Sequence, residues 1–142
     1  MNFSLDQRLR ADTVEVTRLE LSLVLLMKDV TVPWLILVPQ RDGVKEVCDL
    51  SPAGRAALIE EAALASGVIK GLYRVDKINI GSLGNIVAQL HLHVIGRRIS
   101  DRAWPGPIWG VPGPGPGTAQ EISTHVERVK AAFKDLQQQK NK

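Results

Sequence analysis

The 142-residue chain has one cysteine, Cys48. No disulfide can form within it, and a lone thiol fits a reducing compartment, so the chain reads as cytoplasmic and Cys48 as buried or inert. Aromatic residues are scarce, at 4%, and the 18 Lys and Arg are dispersed among 15 Asp and Glu for a net charge of +3. An extended nucleic-acid surface would cluster its basic residues. The small positive excess suits a phosphorylated small molecule better. Long apolar runs are also missing: LSLVLLM and PWLILVP fall far short of the roughly 20 residues of a membrane span. The opening MNFSLDQRLRAD is charged throughout and lacks a signal-peptide pattern. Neither nucleic acid nor membrane is expected as a partner.

A chain of this length fits one domain and buries about two-thirds of its unfolded surface. Ser4 and Gln7 have capping-box spacing, which predicts a short first helix over SLDQRLRAD. RLELSLVLLMKD (18–29) alternates Leu19, Leu21, Leu23 and Leu25 and then becomes apolar on both faces, as a strand entering the middle of a sheet does. VPWLILVPQRDG (32–43) reads as the next strand, with Pro33 and Pro39 at its ends where a missing N–H is tolerated. LSPAGRAALIEEAALASGVIKGL (50–72) is a helix with Ser51 as N-cap and Pro52 at its first position, ending at Gly67 or Gly71. YRVDKINIGS (73–82) and NIVAQLHLHVIGRR (85–98) complete the strands.

WPGPIWGVPGPGPG cannot hold a regular helix or a central strand. Its composition is that of a linker, yet Trp104 and Trp109 would be left wet in one, so their half of the stretch is expected to pack back on the domain. TAQEISTHVERVKAAFKDLQ then opens with the capping box Thr118–Glu121 and sets Ile122, Val126, Val129, Phe133 and Leu136 at helical spacing. His125 lies in this amphipathic helix among polar neighbours and reads as a surface residue. The division is therefore a core over about 1–110, a Gly/Pro-rich segment over 105–117 and a closing helix over 118–138.

Of only three histidines, two fall one residue apart in an apolar run. If the strand spans 85–98, Gln89, His91, His93 and Ile95 share one face and Leu90, Leu92 and Val94 the other, with the imidazoles roughly 6.6 Å apart. Three readings are open: polar residues on the wet side of a strand, a metal-binding pair short of further ligands, or nucleophilic catalysis at phosphorus. Neutral imidazole is nucleophilic at pH 7 and can carry a transferred nucleotidyl group. The preceding NIGSLGN offers backbone N–H groups and amides for anionic oxygens. Arg97 lies on the same alternation, as a solvated strand end or as a charge at the rim.

QLHLHVI resembles the motif of the histidine triad (HIT) superfamily, His-x-His-x-His separated by apolar residues, with Gln89 in the first position, His91 in the second and His93 in the third. The order of elements agrees, from the strand pair through the Ser-Pro helix to Asn79-x-Gly81 and Gly84-Asn85. LGNIVAQLHLHVIGRR followed by WPGPIWG further resembles a bacterial HIT-like, diadenosine-tetraphosphate-hydrolase-like branch. The resemblance implies an α+β fold with a five-stranded antiparallel sheet and the Ser51 helix packed on it. It implies a homodimer and hydrolysis or transfer at the α-phosphate of nucleotide conjugates. It implies no resident cofactor; a divalent cation would arrive, if at all, with the substrate.

By position, His91 is the implied nucleophile and His93 a contact to the phosphate oxygens. Gly84, Asn79 and Asn85 fall near the phosphates and leaving group, and Asp29 near the ribose. Two departures stand out. Gln89 does not titrate near pH 7, so a proton relay through the first position is lost. Ile86 follows Asn85 where many relatives carry Ser or Thr. The retained nucleophile favours an enzyme; the altered first position leaves a nucleotide-binding protein without turnover as the alternative.

Overall fold

The computed structural model describes residues 2–141. Its elements are α1 (Gln7–Asp12), β1 (Thr13–Arg18), β2 (Ser22–Met27), β3 (Trp34–Pro39), α2 (Pro52–Leu72), β4 (Lys77–Gly81), β5 (Leu92–Arg97) and α3 (Ala119–Lys140). The five strands form one antiparallel sheet in the order β1-β2-β3-β5-β4. This is the α+β arrangement that the family resemblance implies, with β1 added to the four strands expected from the residues themselves.

Alternation along the central strands divides the interior in two. Val24, Leu26, Leu35, Leu37, Leu92 and Val94 face α2 and α3, where Leu58, Ala65, Ile69, Val129 and Phe133 meet them. Leu23, Leu25, Trp34, Ile36, Val38 and Ile95 face the other way and are covered by Leu9 of α1 and by Ile108, with Phe3, Leu5 and Trp109 packed alongside. Both faces are therefore dry, which is why β2 and β3 read as continuous apolar runs. Ser51 caps α2 by accepting from the Gly54 N–H, and Thr118 and Glu121 form the reciprocal cap of α3.

Several boundaries differ from expectation. Residues 18–29 are not one strand: the chain turns at Leu19–Leu21, where the Leu19 N–H donates to the Ser22 carbonyl and Glu61 of α2 accepts the Leu21 N–H. The α1 cap is Asp6, which accepts from the Arg8 N–H, and not Ser4. α2 runs through Gly67 and Gly71 to Leu72, because Val68 and Ile69 continue its buried stripe. The preference against glycine in a helix, about 1 kcal/mol, yields to that burial. Cys48 is exposed. His125 is half-buried and lies 2.8 Å from the Tyr73 hydroxyl through Nδ1, and its burial lowers its pKa.

Candidate active site

β5 begins only at Leu92, so residues 85–91 approach the sheet as irregular chain and Gln89 is not on a strand. His93 is paired in register with Ile36 of β3 and Gly81 of β4, on the face opposite α2. His91 precedes the strand, yet the two rings meet edge to face with centroids 5.0 Å apart. Both are buried, at 6% and 8% exposure, so the wet-face reading of the pair does not hold.

The hydrogen bonds assign each ring its tautomer. His91 Nδ1 lies 2.7 Å from the Gln89 carbonyl oxygen. A carbonyl only accepts, so Nδ1 carries the proton and Nε2 keeps its lone pair. His93 Nδ1 accepts from the Trp34 indole N–H at 2.9 Å. An indole only donates, so neutral His93 holds its proton on Nε2. Burial, with a smaller contribution from His91, lowers the His93 pKa to about 4 and keeps it neutral at pH 7. Trp34 and Trp109 stand edge-on to the His93 ring, at 5.7 and 5.4 Å. Trp109 can approach because position 81 is glycine; a Cβ there would lie 2.9 Å from its ring.

The histidines line a cavity of about 300 Å³ together with Gly84 and Asn85, Arg8, Leu9 and Asp12 of the α1 helix, and the apolar Met27, Ile36, Leu83, Ile86 and Val87. Gly84 turns the loop at φ +71°, a conformation that favours glycine. A hollow of about 350 Å³ near the end of α3 is larger, but its lining, which includes Glu20, Glu60, Glu61 and Lys140, holds no histidine or thiol.

His91, His93, Gly84 and Asn85 thus come together, whereas Gln89, Asn79 and Asp29 stand outside that lining. Gln89 accepts from the Asp6 N–H and donates to the Ser4 carbonyl, both at 2.9 Å. The Asn79 side-chain oxygen accepts from Arg97 at 2.8 Å. Asp29 pairs with Arg102 at 3.0 Å and accepts from Thr31. Arg97 is neither solvated nor at a rim: it is 1% exposed and also donates to Asp101 and to the Gly106 carbonyl. That pairing holds the Asp101 carboxyl far below the usual carboxylate range. Among the described residues no group of three or more His, Cys, Asp or Glu is placed to hold a metal ion.

Sequence reading missed Trp34, Arg8 and Asp12. The tryptophan reaches His93 across 59 positions of sequence, and α1 reaches the cavity by folding back over the sheet; neither leaves a local signal.

The sequence model of the HIT domain matches residues 8–100. Three solved structures are similar over most of both chains. A histidine triad protein from Sinorhizobium meliloti 1021 is 45% identical over 92% of this chain and 97% of its own, with a TM-score of 0.88. One from Bradyrhizobium japonicum is 41% identical over 92% and 98%, also at 0.88. One from Marinobacter aquaeolei VT8 is 40% identical over 94% and 98%, at 0.90. None of the curated proteins compared matches the chain.

Proposed function

The chain belongs to the HIT domain family, and we propose that it hydrolyses, or transfers from, the α-phosphate of dinucleoside polyphosphates or related nucleotide conjugates. The observation that carries this reading is the pair of buried imidazoles in opposite tautomers, one with a bare Nε2 and its neighbour with Nε2–H. The first is a nucleophile; the second is a neutral donor for a phosphate oxygen.

In the first step the His91 Nε2 lone pair forms a bond to the α-phosphorus. The bond from phosphorus to the leaving-group oxygen breaks, and its electrons depart with that group. The His91 Nδ1 proton stays on the ring and is donated to the Gln89 carbonyl oxygen, which steadies the charge gained by the ring. In the second step water attacks phosphorus and loses a proton to solvent, the P–N bond breaks, and a nucleoside monophosphate leaves. A polyphosphate leaving group is weakly basic and needs little protonation, so it suits a site without a titratable group in the first motif position. An amine-leaving phosphoramidate suits it less.

A cytoplasmic homodimer is part of the same reading. It is supported by the outer edge of β4, unpaired among the described residues, beside the half-exposed Ile80 and Leu83. A second reading, nucleotide binding without turnover, is favoured by Gln89, whose amide is engaged at both ends by backbone.

Intact-protein mass spectrometry after brief mixing with diadenosine tetraphosphate, wild type beside His91→Ala, distinguishes the two. An acid-labile nucleotidyl adduct and released AMP are expected from the wild type only. Binding with neither adduct nor product would establish the second reading.

A further inference from the structure

The N-terminal segment is built into the wall of the site. Phe3 and Leu5 pack on the histidine face of the sheet and Leu9 is 5% exposed. α1 has six residues, too few to hold as a helix unaided. Gln89 fastens it from beneath: Oε1 takes the Asp6 N–H and Nε2 gives to the Ser4 carbonyl. Asp6 in turn caps α1 through the Arg8 N–H at 2.8 Å. A primary amide is well matched to one backbone donor and one backbone acceptor on the same segment.

Held there, α1 brings Arg8 into the lining of the cavity that contains His91 and His93. Among the described residues it is the one Lys or Arg in a mostly apolar lining that also includes Asp12, and His93 stays neutral. Among the described residues no carboxylate pairs with the Arg8 guanidinium. A guanidinium keeps its charge at all working pH and meets phosphate oxygens two at a time. The Gln89 backbone carbonyl meanwhile fixes the His91 ring, so one residue sets the nucleophile with its main chain and the facing wall with its side chain.

We propose that Gln89 is a positioning residue that latches α1 over the cavity, and that Arg8 so placed binds phosphates beyond the scissile one, making the site selective for nucleotide conjugates with an anionic leaving group. This rests on the nucleotide reading above and adds its substrate class. Arg8 is the specificity-determining side chain, and Gln89 acts through it.

The test is calorimetric binding of a non-hydrolysable ATP analogue and of AMP to the wild type, Arg8→Gln, Gln89→Ala and the double variant, with hydrogen exchange followed over residues 4–12. Arg8→Gln is expected to weaken the ATP analogue roughly tenfold while AMP changes by less than about twofold. Gln89→Ala is expected to give a similar loss with faster exchange in residues 4–12, and no further loss once Arg8 is replaced. An unchanged ATP-to-AMP ratio in Arg8→Gln overturns the phosphate role; additive losses overturn the coupling. Loss of protection across β2 and β3 in Gln89→Ala would make it a core residue and sink the latch. Tight analogue binding through Arg8 without a His91 adduct would keep this inference and remove the enzyme. An adduct with no Arg8 effect would do the reverse, and no binding of either nucleotide overturns both.

Discussion

His91 and His93 share a cavity and differ in which nitrogen is bare: the Gln89 carbonyl, inside the motif, sets His91, and a group outside the motif sets His93. For His93 the imposing group is Trp34, whose N–H fills the Nδ1 lone pair. Trp34→Phe keeps an aromatic ring against His93 and removes the donor. The His93 proton is then free to move to Nδ1, which turns Nε2 from a donor into an acceptor facing phosphate oxygens. The expected result is a fall in kcat of roughly tenfold with little change in KM, the cost of one hydrogen bond to a charged group. Nitrogen NMR should show His93 passing from a single tautomer to a mixture. Full activity with an unchanged tautomer would leave Trp34 only a packing role. The histidine pair itself was legible, because alternation with Leu92 marks it locally. Its tautomers were not, since they depend on a strand register and on a carbonyl direction. Gln89 was read as a face-mate of the histidines; it left that face because β5 starts three residues later.

At the level of elements, what local chemistry encodes was readable and what tertiary contact decides was not. The Ser51 and Thr118 caps stand where side-chain oxygens precede helix-forming runs. β1 went unread because TVEVTR, at the sheet edge, has only a weak buried pattern, with a register shift between Glu15 and Thr17. Arg97 shows the same limit more sharply. Polar residues at a strand end are ordinarily wet, but here the loop after β5 returns and closes a buried network. Arg97 donates to both carboxylate oxygens of Asp101, to Asn79 and to the Gly106 carbonyl. Asp101 is also bonded by the Arg98, Ala103 and Trp104 N–H groups, which ties the turn before the tryptophan segment to β5. Arg97→Met should destabilise the fold by about 3 kcal/mol in urea unfolding, because it leaves a buried carboxylate without its counter-charge. It should also increase exchange in residues 100–110, which carry Trp109 to His93. A stability within about 0.5 kcal/mol of wild type would show that the cation is dispensable to that loop.

Across the whole molecule, two dry layers flank one sheet, and among the described residues the titratable groups buried on the histidine side are His91, His93 and Arg97. The Gly/Pro-rich stretch is partly a cover: Ile108 is 1% exposed and Trp109 lies on Gly81, as its tryptophans suggested, while the proline-rich remainder is mostly exposed. Enclosing His93 has a consequence for stability against pH. Its folded pKa, about 4, lies below the ordinary histidine value near 6.5. Above pH 6.5 the ring is neutral in both states and contributes no pH dependence. As pH falls below 6.5 the unfolded chain takes up the proton first, so folding stability declines until the folded ring also protonates near pH 4. The loss reaches about 3 kcal/mol by pH 4. His125, lowered by its burial against Tyr73, adds to the decline with the same sign. Hydrogen bonds lower the carboxyl pKa values of Asp101 and Glu121, and both residues, like His125, are common to wild type and His93→Gln. Urea unfolding of wild type and His93→Gln between pH 7 and pH 4 isolates the one ring, because His125 is common to both. The wild type is expected to lose stability more steeply, so that the gap between the two proteins changes by about 3 kcal/mol across the window. A gap that stays constant would mean that His93 protonates as readily in the fold as outside it, and that the site does not hold it as a neutral donor.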